Sequence, residues 1–319
     1  MTFKEFKSKF EFSPVKEFSH QVKENPLVSV CVQAYNHEKF ISQCLKSILS
    51  QKTDFPFEIL LSEDESSDDT RAICIDFALK YPYKIRLFLH SRSNNIRVSD
   101  VPTGNFPILN NFFHANGKYV AICEGDDFWG DPYKLQKQFS FMEQNLSYSI
   151  CYHNYKILNA NGQIISFSPK ACPIKRDLKA DELIFSFVHP APLTIFFRNI
   201  LNKDLPQEIA NVIAMDVFLC SLLGEKGPGK FLQEIQPAYY RTHEEGMWSN
   251  MALEPKLYAK INTYQQLTYY YSKQGKRDIV SIFQKKINKI KRYLVFLNLT
   301  QLNFRKTLLL IKNWKKLTS

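Results

Sequence analysis

The sequence predicts an α/β fold, a mixed but mostly parallel sheet flanked by helices, with a basic α-helical segment following it. Three observations carry this reading. Apolar, β-branched runs of strand length alternate with stretches of helical period between residues 27 and 89; acidic residues gather where those strands end; and the excess positive charge falls within residues 251–319.

Residues 1–26 mix Lys and Glu with Phe and form an N-terminal arm without the apolar core of a signal peptide. Residues 27–33, Leu-Val-Ser-Val-Cys-Val-Gln, follow Pro26 and suit a buried strand. Phe40, Ile41, Cys44, Leu45, Ile48 and Leu49 then recur at helical spacing, and residues 57–62 make a second strand. After an acidic turn, Ile73, Phe77 and Ala78 mark another helix and residues 85–89 a third strand. Such β-α-β-α-β order calls for parallel strands with helices on their faces. Residues 119–123 read as the next strand, stopped by the charges of Glu124, Asp126 and Asp127. A helix bearing Leu135, Phe139 and Met142 follows Pro132, a residue suited to a helix start. Strands are expected at 149–153 and 193–198, and a short helix at 216–223 closed by Gly224. This body is expected to span residues 27–250.

Beyond it, residues 251–319 carry fifteen Lys or Arg against Glu254 and Asp278, more than accounting for the formal charge of +11 of the whole chain. The basicity therefore belongs to this Tyr-rich helical extension, and the body is slightly acidic. Residues 293–311 are its most apolar part, but Asn298, Gln301, Asn303, Arg305 and Lys306 make a poor membrane span. Two alternatives stay open for the extension: a helix packed on the body with a solvated basic face, or contact with an anionic membrane through aromatics such as Tyr269, Tyr270, Tyr271, Tyr293 and Trp314. Nucleic acid is not expected as a partner, since no recognition motif accompanies the charge. The seven cysteines are odd in number and show neither a CxxC pair nor a Cys/His cluster, which argues against a disulfide framework and a structural zinc site and for a reducing cytoplasm.

Acidic clusters stand at strand ends: Glu63-Asp64 with Asp68-Asp69, then Glu124-Gly125-Asp126-Asp127; Asp216 comes later. Ligands of open parallel sheets bind beyond the carboxyl ends of the strands, so the first two clusters should meet in one crevice. Converging carboxylates repel unless a cation, hydrogen-bond donors or protonation offsets them. A divalent ion held by one or two carboxylates and completed by substrate phosphates is the arrangement for Mn²⁺ or Mg²⁺. Helix capping competes with this reading, for Ser67 to Asp69, for Asp126 or Asp131, and for Asp216. A carboxylate at 63 or 64 is also placed to accept the imide N–H of a uracil or thymine ring.

Val28 to Asn36, Glu63 to Thr70, and Gly117-Lys118-Tyr119 running into Glu124-Gly125-Asp126-Asp127 together resemble, in order and spacing, the successive motifs of family-two glycosyltransferases, over about residues 27–250. The resemblance implies the GT-A fold and inverting transfer of a sugar from a nucleotide-diphosphate donor, a UDP-sugar above all, to a hydroxyl on a glycan or lipid-linked acceptor, as in bacterial surface polysaccharide synthesis. It implies that Gln33, Ala34 and Tyr35 hold the base and ribose, that Asp64 or Glu63 reads the base, and that Asp126 and Asp127 bind ribose and the metal–diphosphate unit, with Asp127 as metal ligand. Asp216 matches the catalytic base. Tyr240-Arg241-Thr242-His243, with Gly246 and Trp248, matches a closing loop in which Arg241 reaches the diphosphate and His243 ligates the metal or donates to phosphate. The chain is then expected in the cytoplasm, peripheral on the inner face of the membrane. A sugar nucleotidyltransferase is the nearest enzyme alternative, but Gln33 to Phe40 lack the glycine-rich loop that cradles a triphosphate. An adaptor acting through the basic extension is the non-enzymatic one.

Overall fold

In the computed structural model, residues 1–99, 101–165, 174–201, 204–244, 246, 248 and 251–300 are described. Cys172, Trp314 and the part of 293–311 beyond Thr300 lie outside them. The main sheet has eight strands, in spatial order Lys16–Glu17, Ile85–Leu89, Phe57–Glu63, Val28–Ala34, Tyr119–Ile122, Phe196–Arg198, Ile150–Tyr152 and Gly229–Phe231. The four from Ile85–Leu89 to Tyr119–Ile122 are mutually parallel, whereas Phe196–Arg198 runs against both of its neighbours. This is the expected mixed, mostly parallel sheet. Val28–Ala34 and Phe57–Glu63 lie at its centre and are buried almost throughout, which is why they read as continuous apolar runs.

Helices cover both faces. Ile41–Leu49 buries Ile41, Cys44, Leu45 and Ile48, all marked by their spacing, and Thr70–Lys80 buries Phe77 and Ala78 as expected, with Cys74 fully buried in place of the half-buried Ile73. Lys134–Gln144 starts two positions after Pro132 rather than at it; Asp131 sets the entry by accepting the N–H of Tyr133 at 2.8 Å. The helices Phe3–Phe10 and Ala180–Ile184 are absent from the sequence reading, and so is Asn105–His114. Every residue from Asn105 to Phe112 is buried, so it shows no polar face to give a helical period. Two of its three asparagines serve the interior: Asn111 donates to the carbonyl of Val32 and accepts from Ser62, and Asn105 donates to the carbonyls of Ala210 and Val212, whereas Asn110 Nδ2 is buried without a hydrogen-bond partner.

The N-terminal arm is integrated into the fold. Thr2 and Glu5 form a capping box on the helix Phe3–Phe10, and Phe6 is fully buried with its ring 4.9 Å from that of Phe106. At the other end, the helices Leu253–Lys273 and Arg277–Thr300 fold back as a hairpin, with Gly275 in the left-handed region at the turn. Leu267, Tyr271, Phe283 and Leu294 are buried in one cluster with Ile209, Phe218 and Leu223 of the body. The described part of the basic extension is thus a packed helical pair. Among the described residues, no helix is long and apolar enough to cross a membrane.

Candidate functional site

The site forms where Val28–Ala34 ends, between the ends of its two parallel neighbours. The ladder outlasts the strands: Asp64 N–H donates to the carbonyl of Ala34 at 3.0 Å, and Gly125 N–H to that of Gln33 at 2.9 Å. The two acidic clusters are therefore tied to successive backbone carbonyls of one strand, which brings them to one crevice.

The Ser- and Asp-rich stretch after Asp64 does more than start a helix. Ser66 Oγ accepts the N–H of Asn36, Asn36 Oδ1 accepts that of Ser67, Thr70 Oγ1 accepts that of His37 at 2.7 Å, and Asp68 accepts that of Glu38. Of the expected caps, Asp68 serves, accepting the N–H of Thr70, while Asp69 stands at the N-cap with no side-chain bond. Asn36 adopts the left-handed conformation that asparagine tolerates better than most residues. The loop 36–38 is consequently held rigid, with the ring of His37 turned toward the acids.

On one side of the crevice, Glu63 is buried and committed to the protein, accepting from the N–H of Ser66 and from Arg71. Asp64 remains nearer the surface. It accepts from Arg92 Nη1 at 2.5 Å, and the Arg92 guanidinium lies 4.0 Å over the ring of the exposed Tyr35. Burial pushes the Asp64 carboxyl up to about 6, with Arg92 opposing the rise. Ala34 is buried, and Gln33 Nε2 is buried without a hydrogen-bond partner.

On the other side stand Glu124, Asp126 and Asp127, whose carboxylate oxygens lie within 4.8 Å of one another. Gly125 is required between them, because an added Cβ would come 2.7 Å from His37 Nδ1 and 2.8 Å from the carbonyl oxygen of Gln33. Asp127 is fully buried; its Oδ1 accepts the N–H of Arg241 at 2.9 Å and its Oδ2 has no partner. Burial, then the charges of Asp126 and Glu124, hold its pKa well above the carboxylate range. Glu124 is pushed up to about 8 by burial and by Asp126 and Asp216. Asp126 is the exception: burial raises it, but the hydrogen bond from His243 and the neighbouring His37 outweigh burial and keep it low.

His243 Nε2 lies 3.0 Å from Asp126 Oδ2, and His37 Nε2 lies 4.0 Å from the same oxygen. The histidine expected to join Asp127 at a metal is therefore grouped with Asp126, while Asp127 belongs to the all-carboxylate group beside it. Arg241 is nearly buried, donating from Nη1 to the carbonyl of Asp126 and from Nη2 to Gln43, with Phe40 beneath its guanidinium. These bonds brace the acid loop.

Asp216 lies in the first turn of the helix Met215–Gly224, close enough to Glu124 for its charge to raise the pKa of that group. It is not the N-cap, a position held by Ala214. Its Oδ1 accepts the N–H of Val217 at 2.9 Å, and its Oδ2 lies 3.3 Å from His189 Nδ1. Sequence reasoning missed His37, Arg92 and His189. Only His37 had a signal, its place directly after the motif ending at Asn36.

The donor set fits a divalent ion. Hard carboxylate oxygens and imidazole nitrogens converge within bonding reach, the orphaned Asp127 Oδ2 is buried, and the raised pKa values of Glu124 and Asp127 mark negative charge that the protein itself does not neutralise.

Residues 29–99 match the family model of glycosyl transferase family 2. Among curated proteins, Mb1547 of Mycobacterium bovis is 32% identical over 69% of this chain and 60% of its own length. The UDP-Glc:alpha-D-GlcNAc-diphosphoundecaprenol beta-1,3-glucosyltransferase WfgD of Escherichia coli is 32% identical over 44% of this chain and 50% of its own length. The chain thus spans about half to three fifths of the length of these relatives. Among solved structures, S. aureus TarS 1-349 in complex with UDP-GlcNAc superimposes with a TM-score of 0.52 at 19% identity, over 75% of this chain and 66% of that one, which shows a shared fold.

Proposed function

We propose that this chain, which carries a glycosyl transferase family 2 domain on a GT-A fold, moves one sugar from a nucleotide-diphosphate donor to a hydroxyl acceptor with inversion. The observation that carries the reading is the convergence of the carboxylates of Glu124, Asp126 and Asp127 with His243 at one cation-seeking group, with the carboxylate of Asp216 near enough to add to the rise of the Glu124 pKa. A UDP-sugar is the favoured donor. Asp64 is the acid placed to accept a uracil N–H, since Glu63 is already committed to Ser66 and Arg71, and the exposed Tyr35 supplies an aromatic wall beside it.

Asp126 and His243 would hold Mn²⁺ or Mg²⁺, with Asp127 and Glu124 adjoining. The ion's contribution would be positive charge against the donor's diphosphate. Asp216 takes the acceptor hydroxyl's proton as that oxygen attacks the anomeric carbon from the face opposite the leaving diphosphate. His189 sets the direction of the Asp216 carboxylate. No second carboxylic acid is needed, because the leaving group departs as a stabilised anion. Arg241 acts indirectly, fixing the carbonyl of Asp126 and through it the acid loop.

A lipid-linked glycan on the inner face of a cytoplasmic membrane is the proposed acceptor, within surface polysaccharide synthesis. Two features support it: the named activity of the WfgD relative, and an exposed stripe on Arg277–Thr300 in which Lys285, Lys289 and Arg292 lead into Tyr293, Phe296 and Leu299. The test is a panel of UDP- and GDP-sugars with Mn²⁺, following nucleoside diphosphate release and the anomeric configuration of the product. Release with one donor class, abolished by chelator, with an α-linked donor giving a β-linked product, is expected. No release with any donor, or retention of configuration, overturns the reading.

A further inference from the structure

We infer that His37 is a ligand of the divalent ion, which makes the site a two-imidazole site. The inference rests on the metal-dependent reading above and adds a residue to it. Ligand atoms of one octahedral ion at about 2.1 Å stand about 3 Å apart when adjacent and about 4.2 Å apart when opposite. His243 Nε2 and His37 Nε2 lie 3.0 and 4.0 Å from Asp126 Oδ2, and the three ligand atoms fall within 4.8 Å of one another. The two rings meet edge to face, 6.0 Å between centroids, and do not stack on each other.

The surroundings of His37 fit a ligand held in advance. Its backbone N–H is fixed by Thr70 Oγ1, its neighbours Asn36 and Glu38 are tied to Ser66, Ser67 and Asp68, and its ring lies against Gly125 so closely that no side chain is admitted there. This accounts for a clamp that base recognition by Asp64 does not require. Two imidazoles beside carboxylates also shift preference from Mg²⁺ toward Mn²⁺ and later first-row ions, since Mg²⁺ favours oxygen.

The test is pulsed electron paramagnetic resonance of Mn²⁺ added to the full chain, alone and with UDP, which reads directly bound nitrogen without any turnover. Two strongly coupled nitrogens are expected in the wild type, one in His37→Ala, one in His243→Ala and none in the double variant, with Mn²⁺ affinity falling at least tenfold in each single variant. His37→Asn, which keeps a polar side chain, should lose the same nitrogen and controls for a folding defect in His37→Ala. A wild type with no bound Mn²⁺ under either condition overturns the metal-dependent reading and this inference with it. Bound Mn²⁺ whose nitrogen couplings are unchanged in His37→Asn overturns the inference alone.

Discussion

Replacing Asp216 with Asn separates chemistry from helix architecture, because the structure assigns each a different magnitude. Ala214 holds the N-cap, so Asp216 contributes to the helix only a first-turn negative charge and an oxygen for the N–H of Val217. Asn keeps that oxygen. The lost charge–dipole interaction at this 28% exposed carboxylate is worth about 1 kcal/mol. Removing a general base costs roughly a hundredfold or more in rate, about 2.7 kcal/mol in the barrier. The assay follows donor hydrolysis or transfer alongside donor affinity and thermal melting in one preparation. The expected outcome is kcat down by about two orders of magnitude or more, with donor affinity and melting temperature near wild type. Turnover within about threefold of wild type would refute Asp216 as base.

The pH dependence of donor binding should report Asp64. Its folded pKa is raised to about 6, mainly by burial, so affinity for a UDP-sugar should weaken below about pH 6 by up to about tenfold per unit, and Asp64→Asn should flatten the profile. By linkage the same upward shift favours the folded state at low pH, and its contribution to stability declines as pH rises from about 4 to 6; a wild-type affinity flat down to pH 5 would remove Asp64 from base recognition. Leu267→Ala, at a fully buried position of the core shared by body and extension, should cost about 2–5 kcal/mol and lower a single melting transition. Two transitions, with the larger unmoved, would make residues 251–319 an independent unit. Charge reversal of Lys285, Lys289 and Arg292, all exposed, should reduce binding to vesicles containing phosphatidylserine, and wild-type binding should weaken steeply with salt. Absence of wild-type binding would leave the stripe a solvated face.

The parallel half of the sheet was legible because its central strands are buried almost throughout and two of them, Phe57–Glu63 and Tyr119–Ile122, run into acidic residues, a contrast that local composition records. What escaped was set by tertiary context. Asn105–His114 is buried on every side as far as Phe112, and two of its asparagines, Asn105 and Asn111, residues that suggest a loop, donate to carbonyls distant in the chain. The site residues were readable as types but not as partners. Asp126 and Asp127 are adjacent, yet one turns to the histidines and the other into the core, and only the packing of the strand Ala238–Arg241 against Phe128 decides which. His189 sits 27 positions before Asp216, in a turn-rich stretch that offers no signal of their meeting.

The basic extension is where charge misleads most, and its packing gives it a role that composition does not suggest. Asn262 Oδ1 accepts the N–H of Ile213, and Thr263 Oγ1 accepts that of Ala214, the N-cap of the helix that carries Asp216. From the other side, Asn105 holds the carbonyls of Ala210 and Val212. The segment leading to the candidate base is thus gripped by a helix of the body and by the first helix of the extension, so its backbone donors and acceptors are satisfied without water. A carboxylate that must meet an attacking hydroxyl to within a fraction of an ångström depends on that rigidity. The lysines and arginines on the outer face are then free to vary in what they contact, since it is the inner face of the same helices that holds the segment leading to the candidate base.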